Sequence, residues 1–161
     1  MQVTPDLTKV TEFAAIDHEL TERIDEIRVM LGDAKAFVES KAWCSKIVTS
    51  YIGFAFPGVV AVFLFHIIPS RNDVDEWIWV IVGDLPTAYI TCDKAPTPAM
   101  ALNGYLGALE EWISAVKAGK SVEDLIPVNA KPTKHYADML ETRIKFIDQR
   151  ILSEYANGIK K

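Results

Sequence analysis

The sequence predicts an α+β fold: an antiparallel meander of three to four strands, flanked by N-terminal helices and two long C-terminal helices, in a single domain of 161 residues. Three observations predict it. Residues 59–67 and 77–82 are almost wholly β-branched or aromatic, and Pro69, Ser70, Arg71, Asn72 and Asp73 between them favour a turn. In the first and last thirds of the chain, apolar residues recur three and four apart, as on one face of a helix. Connections in the second half are short, which places consecutive elements side by side.

The first helix is expected to begin at Thr4-Pro5, where threonine suits the N-cap, proline the first helical position and Asp6 the positive end of the dipole. Phe13, Ile16, Leu20, Ile24, Ile27 and Leu31 form its inward stripe, and Gly32 is expected to stop it. A shorter helix over residues 33–42, with Phe37 and Val38 inward, then leads to Trp43. Residues 45–56 read equally as an added strand or as irregular apolar packing, closed by Pro57. In residues 59–67 both alternating faces are apolar, so the strand needs cover on both sides. After Val82 the sequence Gly83-Asp84-Leu85-Pro86 interrupts the ladder, and residues 87–91 return as a further strand. Thr97-Pro98 opens a helix with Leu102, Tyr105, Leu106, Leu109, Trp112, Ile113 and Val116 inward, ended by Gly119. Ser121-Val122-Glu123-Asp124 resembles a capping box, Pro127 to Pro132 is a linker, and Thr133 caps the last helix. That helix turns Leu140, Ile144, Ile147, Ile151 and Tyr155 inward and ends at Asn157-Gly158. Leu102, Leu109, Ile113, Ile144 and Ile151 are expected to share a core with Val62, Leu64, Ile78 and Val80.

A rival reading concerns residues 47–68, which contain no Asp, Glu, Lys or Arg and as a helix would be long enough to span a bilayer. Pro57-Gly58 near the middle, His66 near the end and the many β-branched residues argue against it. The hairpin explains both apolar runs, whereas a membrane helix explains one.

Half of the residues are apolar, an excess that suits a sheet buried on both faces or a subunit interface, and so a homodimer. The net charge of −5 argues against nucleic acid as a partner. It is unevenly spread, with −5 over residues 1–40 and +3 over residues 117–161. The polar start, without an apolar core or cleavage pattern, leads to the expectation of a cytoplasmic protein. Cys44 and Cys92 lie far apart without CxxC spacing and read as buried free thiols. No GxxxxGK[ST], GxGxxG, GxSxG or HExxH occurs, and no cofactor is expected. His18 with Glu22, and His135 with Asp138, have helical spacing for two metal ligands, but two ligands do not make a site and no metal is expected.

The segment Trp79-Val80-Ile81-Val82-Gly83-Asp84-Leu85-Pro86-Thr87-Ala88-Tyr89-Ile90 resembles a group of small bacterial proteins of unknown function that share a W-x-(V/I)-x-G-D-L-P-x-x-Y-I core. In them an apolar strand like residues 59–64 precedes the core and helices follow it. The likeness covers the central third of the chain. It implies the hairpin and the GDLP turn, and it carries over no catalytic residue because the group has no assigned activity.

The function expected from these features is a non-enzymatic acidic protein-binding module of the immunity or inhibitor kind. Its partner-binding candidates are Trp77 and Trp79, which share one face of their strand, with Asp84 and with Tyr89, which joins them if the next strand pairs back. One alternative is a small enzyme using His66 as base and Asp84 at the end of the sheet. The other is a protein held at a membrane through residues 47–68. As structural rather than chemical residues, Asp84 would bond turn amides near Thr87, His66 would be a strand-end histidine, and the tryptophans would be core.

Overall fold

The two uncharged runs at the centre pair as neighbouring strands of a five-stranded antiparallel meander in the computed structural model, which describes residues 4–16 and 23–153. The strands follow chain order: β1 (Thr11–Glu12), β2 (Cys44–Phe56), β3 (Val60–Pro69), β4 (Trp77–Gly83) and β5 (Ala88–Thr91). The expected three to four strands are thus five. The ambiguous stretch before Pro57 is the long strand β2, and the two-residue β1 has no signal of its own. The chain divides into two compact units, Met1–Ala101, which holds the sheet, and Leu102–Lys161.

Residues 47–68 are not one helix. They form β2, a tight turn and β3, and no helix of the described residues is long and apolar enough to cross a membrane. Pro57 and Gly58 make the reversal: Gly58 has φ +78°, and Val59 N–H donates to the Phe56 carbonyl at 2.9 Å, the pattern of a type II turn.

The N-terminal helix also departs from expectation. Asp6 accepts from Thr8 N–H at 3.0 Å and Thr8 hydroxyl at 2.6 Å, which caps a single 3-10 turn rather than a long helix. The chain then lies along the edge of β2 as β1, with Thr11 opposite Ile52 and Glu12 opposite Tyr51. One helix, α1 (Ile24–Glu39), follows where two were expected. Ile27, Met30, Leu31, Ala34 and Val38 bury one uninterrupted stripe, and Gly32 sits on the opposite face, where an added Cβ would meet nothing within 4 Å. The stripe continues in phase across the glycine, and the packing it gains exceeds the glycine's helix penalty of about 1 kcal/mol. Gly32→Ala is accordingly expected to stabilise the protein by about 1 kcal/mol, read as a rise in the urea midpoint at unchanged slope.

Helix α1 covers one face of the sheet, where its stripe packs against Ala61, Phe63, Phe65 and Ile67 of β3 and Ile78, Val80 and Val82 of β4. Cross-strand pairing of Val62 with Ile81 and of Leu64 with Trp79 puts those four residues on the other face, also without solvent exposure. Val62 and Leu64 therefore do not share a face with Ile78 and Val80, as the expected common core required.

Two glycines are fixed by close approach. Gly53 lies at a bulge of β2, where a Cβ would stand 2.6 Å from Pro98 Cβ. Gly83 has φ +149°, and a Cβ there would stand 2.2 Å from the Val59 carbonyl oxygen, which also accepts Asp84 N–H at 3.0 Å. The GDLP turn is thus clamped onto the turn between β2 and β3.

Beyond the sheet, Thr97 Oγ1 caps α2 (Pro98–Lys117) by accepting Met100 N–H at 3.2 Å. The helix ends in a Schellman arrangement: Gly119 at φ +69°, its N–H on Val116 and that of Lys120 on the Ala115 carbonyl. Ser121 accepts Glu123 N–H at the single turn expected before Pro127. Thr133 caps α3 (Lys134–Ile147), whose stripe of Ala137, Leu140, Ile144 and Ile147 continues to Ile151 through a π turn over Asp148–Leu152. Lys117 Nζ reaches Glu141 at 3.1 Å and Asp138 at 3.4 Å, linking the end of α2 to α3. Tyr155, Asn157 and Gly158 lie outside the described residues.

Candidate functional site

His66 and Asp84 are at opposite ends of the sheet. His66 pairs with Trp77 at one end of β4, while Gly83, next to Asp84, pairs with Val60 at the other. Six residues of extended chain separate them, roughly 20 Å at strand rise. Proton transfer needs hydrogen-bond reach or one bridging water, so the two do not form a catalytic pair. His66 instead stacks on the Trp77 indole, with ring centroids 4.3 Å apart and planes 11° from parallel, and its Nε2 lies 3.7 Å from Glu76 Oε2. Tyr51 extends the group, 5.9 Å from Trp77.

The expected partner-binding residues do not share a surface either. Trp77 and Trp79 are buried, and Trp79 Nε1 donates to the Ala95 carbonyl at 2.6 Å, so its polar edge is satisfied inside. Asp84 is exposed at the far end of the sheet. Tyr89 pairs with Val80 and therefore lies on the α1 face, opposite Trp77 and Trp79.

Tyr89 has aromatic company there in Phe37, expected to face inward from its helix, and in Trp43, for which the sequence suggests no role. Its ring centroid is 5.3 Å from Trp43 in an edge-to-face arrangement and 6.4 Å from Phe37, and Lys41 Nζ sits 4.3 Å over the Phe37 ring. Tyr89 is 43 % exposed, and Phe37, Lys41 and Trp43 are half-buried. The junction between α1 and β2 holds this group in place. Ser40 Oγ donates to the Phe37 carbonyl at 2.6 Å, while Ser70 donates from N–H to Trp43 O and from Oγ to Ala42 O. The signal in the sequence was Phe37, Lys41 and Trp43 within seven residues at a helix end, where two of the three aromatic rings of the group sit together.

Among the described residues no group of three His, Cys, Asp or Glu side chains converges as a metal site would require. His18 and Glu22 lie outside the described residues, and His135 packs edge-on against Tyr136. Cys44 and Cys92 are both free thiols. Burial pushes the Cys92 thiol up to about 12, with the Asp75 and Asp93 carboxylates adding to it. Burial also raises Cys44, aided by the Glu39 carboxylate and opposed by a hydrogen bond from Lys46 N–H. Thiolate is the reactive form, so native protein at pH 8 is expected to react with Ellman's reagent slowly at Cys44 and only through unfolding at Cys92. Complete reaction of both within seconds would contradict this.

No protein-family model, no curated protein and no solved structure matches this chain.

Proposed function

We propose that the chain is a non-enzymatic, acidic protein-binding module of the immunity or inhibitor kind, with Phe37, Lys41, Trp43 and Tyr89 as the centre of its contact surface. The observation that carries the reading is the half-open aromatic group itself. Tyrosine and tryptophan are enriched among the few residues that carry most of the energy of protein interfaces, because they bury large areas at little conformational cost. An overall charge of −5 favours a basic partner, and the separation of His66 from Asp84 leaves the enzymatic alternative without an assembled pair. We further propose kinship with the small bacterial proteins that share the W-x-(V/I)-x-G-D-L-P-x-x-Y-I core.

The test is affinity capture from host extract at low salt, comparing the wild-type chain with Trp43→Ala and Tyr89→Ala. A partner held by this surface is expected to be lost, since truncating a hot-spot aromatic costs about 2 kcal/mol or more, roughly 30-fold in Kd. Undiminished capture by the double variant, or no capture by the wild type, overturns the proposal.

A further inference from the structure

Strand β2 leaves regular pairing between Cys44 and Lys46 and again between Ile47 and Thr49. Both bulges belong to the wall of one cleft of about 520 Å³ between α1 and the start of β2, lined by Lys35, Glu39, Cys44, Ser45, Lys46 and Ser50 among others. In a regular strand consecutive side chains point to opposite faces, so the Ser45 side chain would face away from those of Cys44 and Lys46. A bulge turns the residues beside it, and here it sets Lys46 N–H on the Cys44 sulfur.

Among the described residues, no ion pair engages the charged side chains of the cleft. Lys35 and Glu39 are four residues apart on α1, a spacing that permits an ion pair. Yet among the described residues neither makes one, and the side chains of Ser45, Lys46 and Ser50 have no hydrogen-bonding partner. The residues that line this space of small-molecule size thus carry two ammonium groups, one carboxylate and two hydroxyls. We infer that this cleft binds a small zwitterion, with its oxyanion, carboxylate or phosphate, on Lys35 and Lys46 and its ammonium on Glu39. The inference stands apart from the aromatic surface and does not depend on it.

Cys44 reports occupancy from inside the cleft, and buried Cys92 serves as internal control. The rate of N-ethylmaleimide addition to each cysteine of the native protein is followed by mass spectrometry, with O-phosphoethanolamine, β-alanine or inorganic phosphate present. O-phosphoethanolamine or β-alanine at about ten times its Kd is expected to slow modification of Cys44 about tenfold, by mass action. The stronger of the two identifies the oxyanion, and inorganic phosphate protects much less. K35Q/K46Q, which removes only charges that make no ion pair among the described residues, abolishes protection, and E39Q abolishes the preference over inorganic phosphate. Absence of protection by all three compounds up to about 20 mM, with the amide resonances of the cleft unmoved, overturns the site. Equal protection by inorganic phosphate overturns the zwitterion, and protection that survives K35Q/K46Q overturns the role of the lysines.

Discussion

Gly83→Ala is expected to destabilise the protein by about 3–5 kcal/mol, combining left-handed strain with a clash that backbone alone must absorb. The added Cβ would lie 2.2 Å from the Val59 carbonyl oxygen and 2.8 Å from Val60 Cα. No side-chain rotation relieves these contacts, because the three nearest atoms, Val59 O and C and Val60 Cα, are all main chain. Relief requires moving the turn between β2 and β3 away from the GDLP turn, which breaks the Asp84 N–H to Val59 O bond as well. Urea unfolding followed by far-ultraviolet circular dichroism measures the loss. A destabilisation below about 1 kcal/mol would show that the two turns are not clamped as described.

Trp79→Ala is expected to cost about 3–5 kcal/mol through the cavity it opens. The indole is fully buried, and its N–H bond to the Ala95 carbonyl ties β4 to the segment before α2. Trp79→Phe separates the two contributions. Phenylalanine keeps most of the apolar volume but leaves the Ala95 carbonyl without its donor, a loss of about 1–3 kcal/mol. Tyr89→Phe, at an exposed ring, is expected to change stability by less than about 0.5 kcal/mol. Equal midpoints for Trp79→Ala and Tyr89→Phe would contradict the assignment of Trp79 to the interior.

The parts of this fold legible in the sequence are those where one local signal acts alone. Strands β3 and β4 are dense in β-branched and aromatic residues on both faces, and Thr97, Gly119 and Thr133 mark helix ends by cap chemistry that needs no tertiary context. The N-terminal region misled because Phe13 and Ile16 fall in phase with the true stripe of α1, while the edge of β2 captures Thr11 and Glu12. Strand β2 was ambiguous because its bulges break the two-residue period on which strand recognition rests.

The site was harder to read than the fold. The face occupied by Tyr89 depends on how many residues the GDLP turn consumes, and a slip of one would carry the ring to the side of Trp79. The separation of His66 from Asp84 follows from the same register, which no propensity encodes. The charged cleft beside α1 was invisible for a different reason: it depends on bulges that place neighbouring side chains on one side of a strand.

The irregularities of β2 bear on how this chain survives before it is folded. From Ile47 to Phe56 it carries no charge and no proline, the composition of a fibril spine. Breaks in its pairing at three places deny an incoming copy the flat, continuous template that cross-β growth needs. That protection exists only once the strand is bent, so losses during refolding should rise steeply with protein concentration and fall when a lysine replaces solvent-facing Val48.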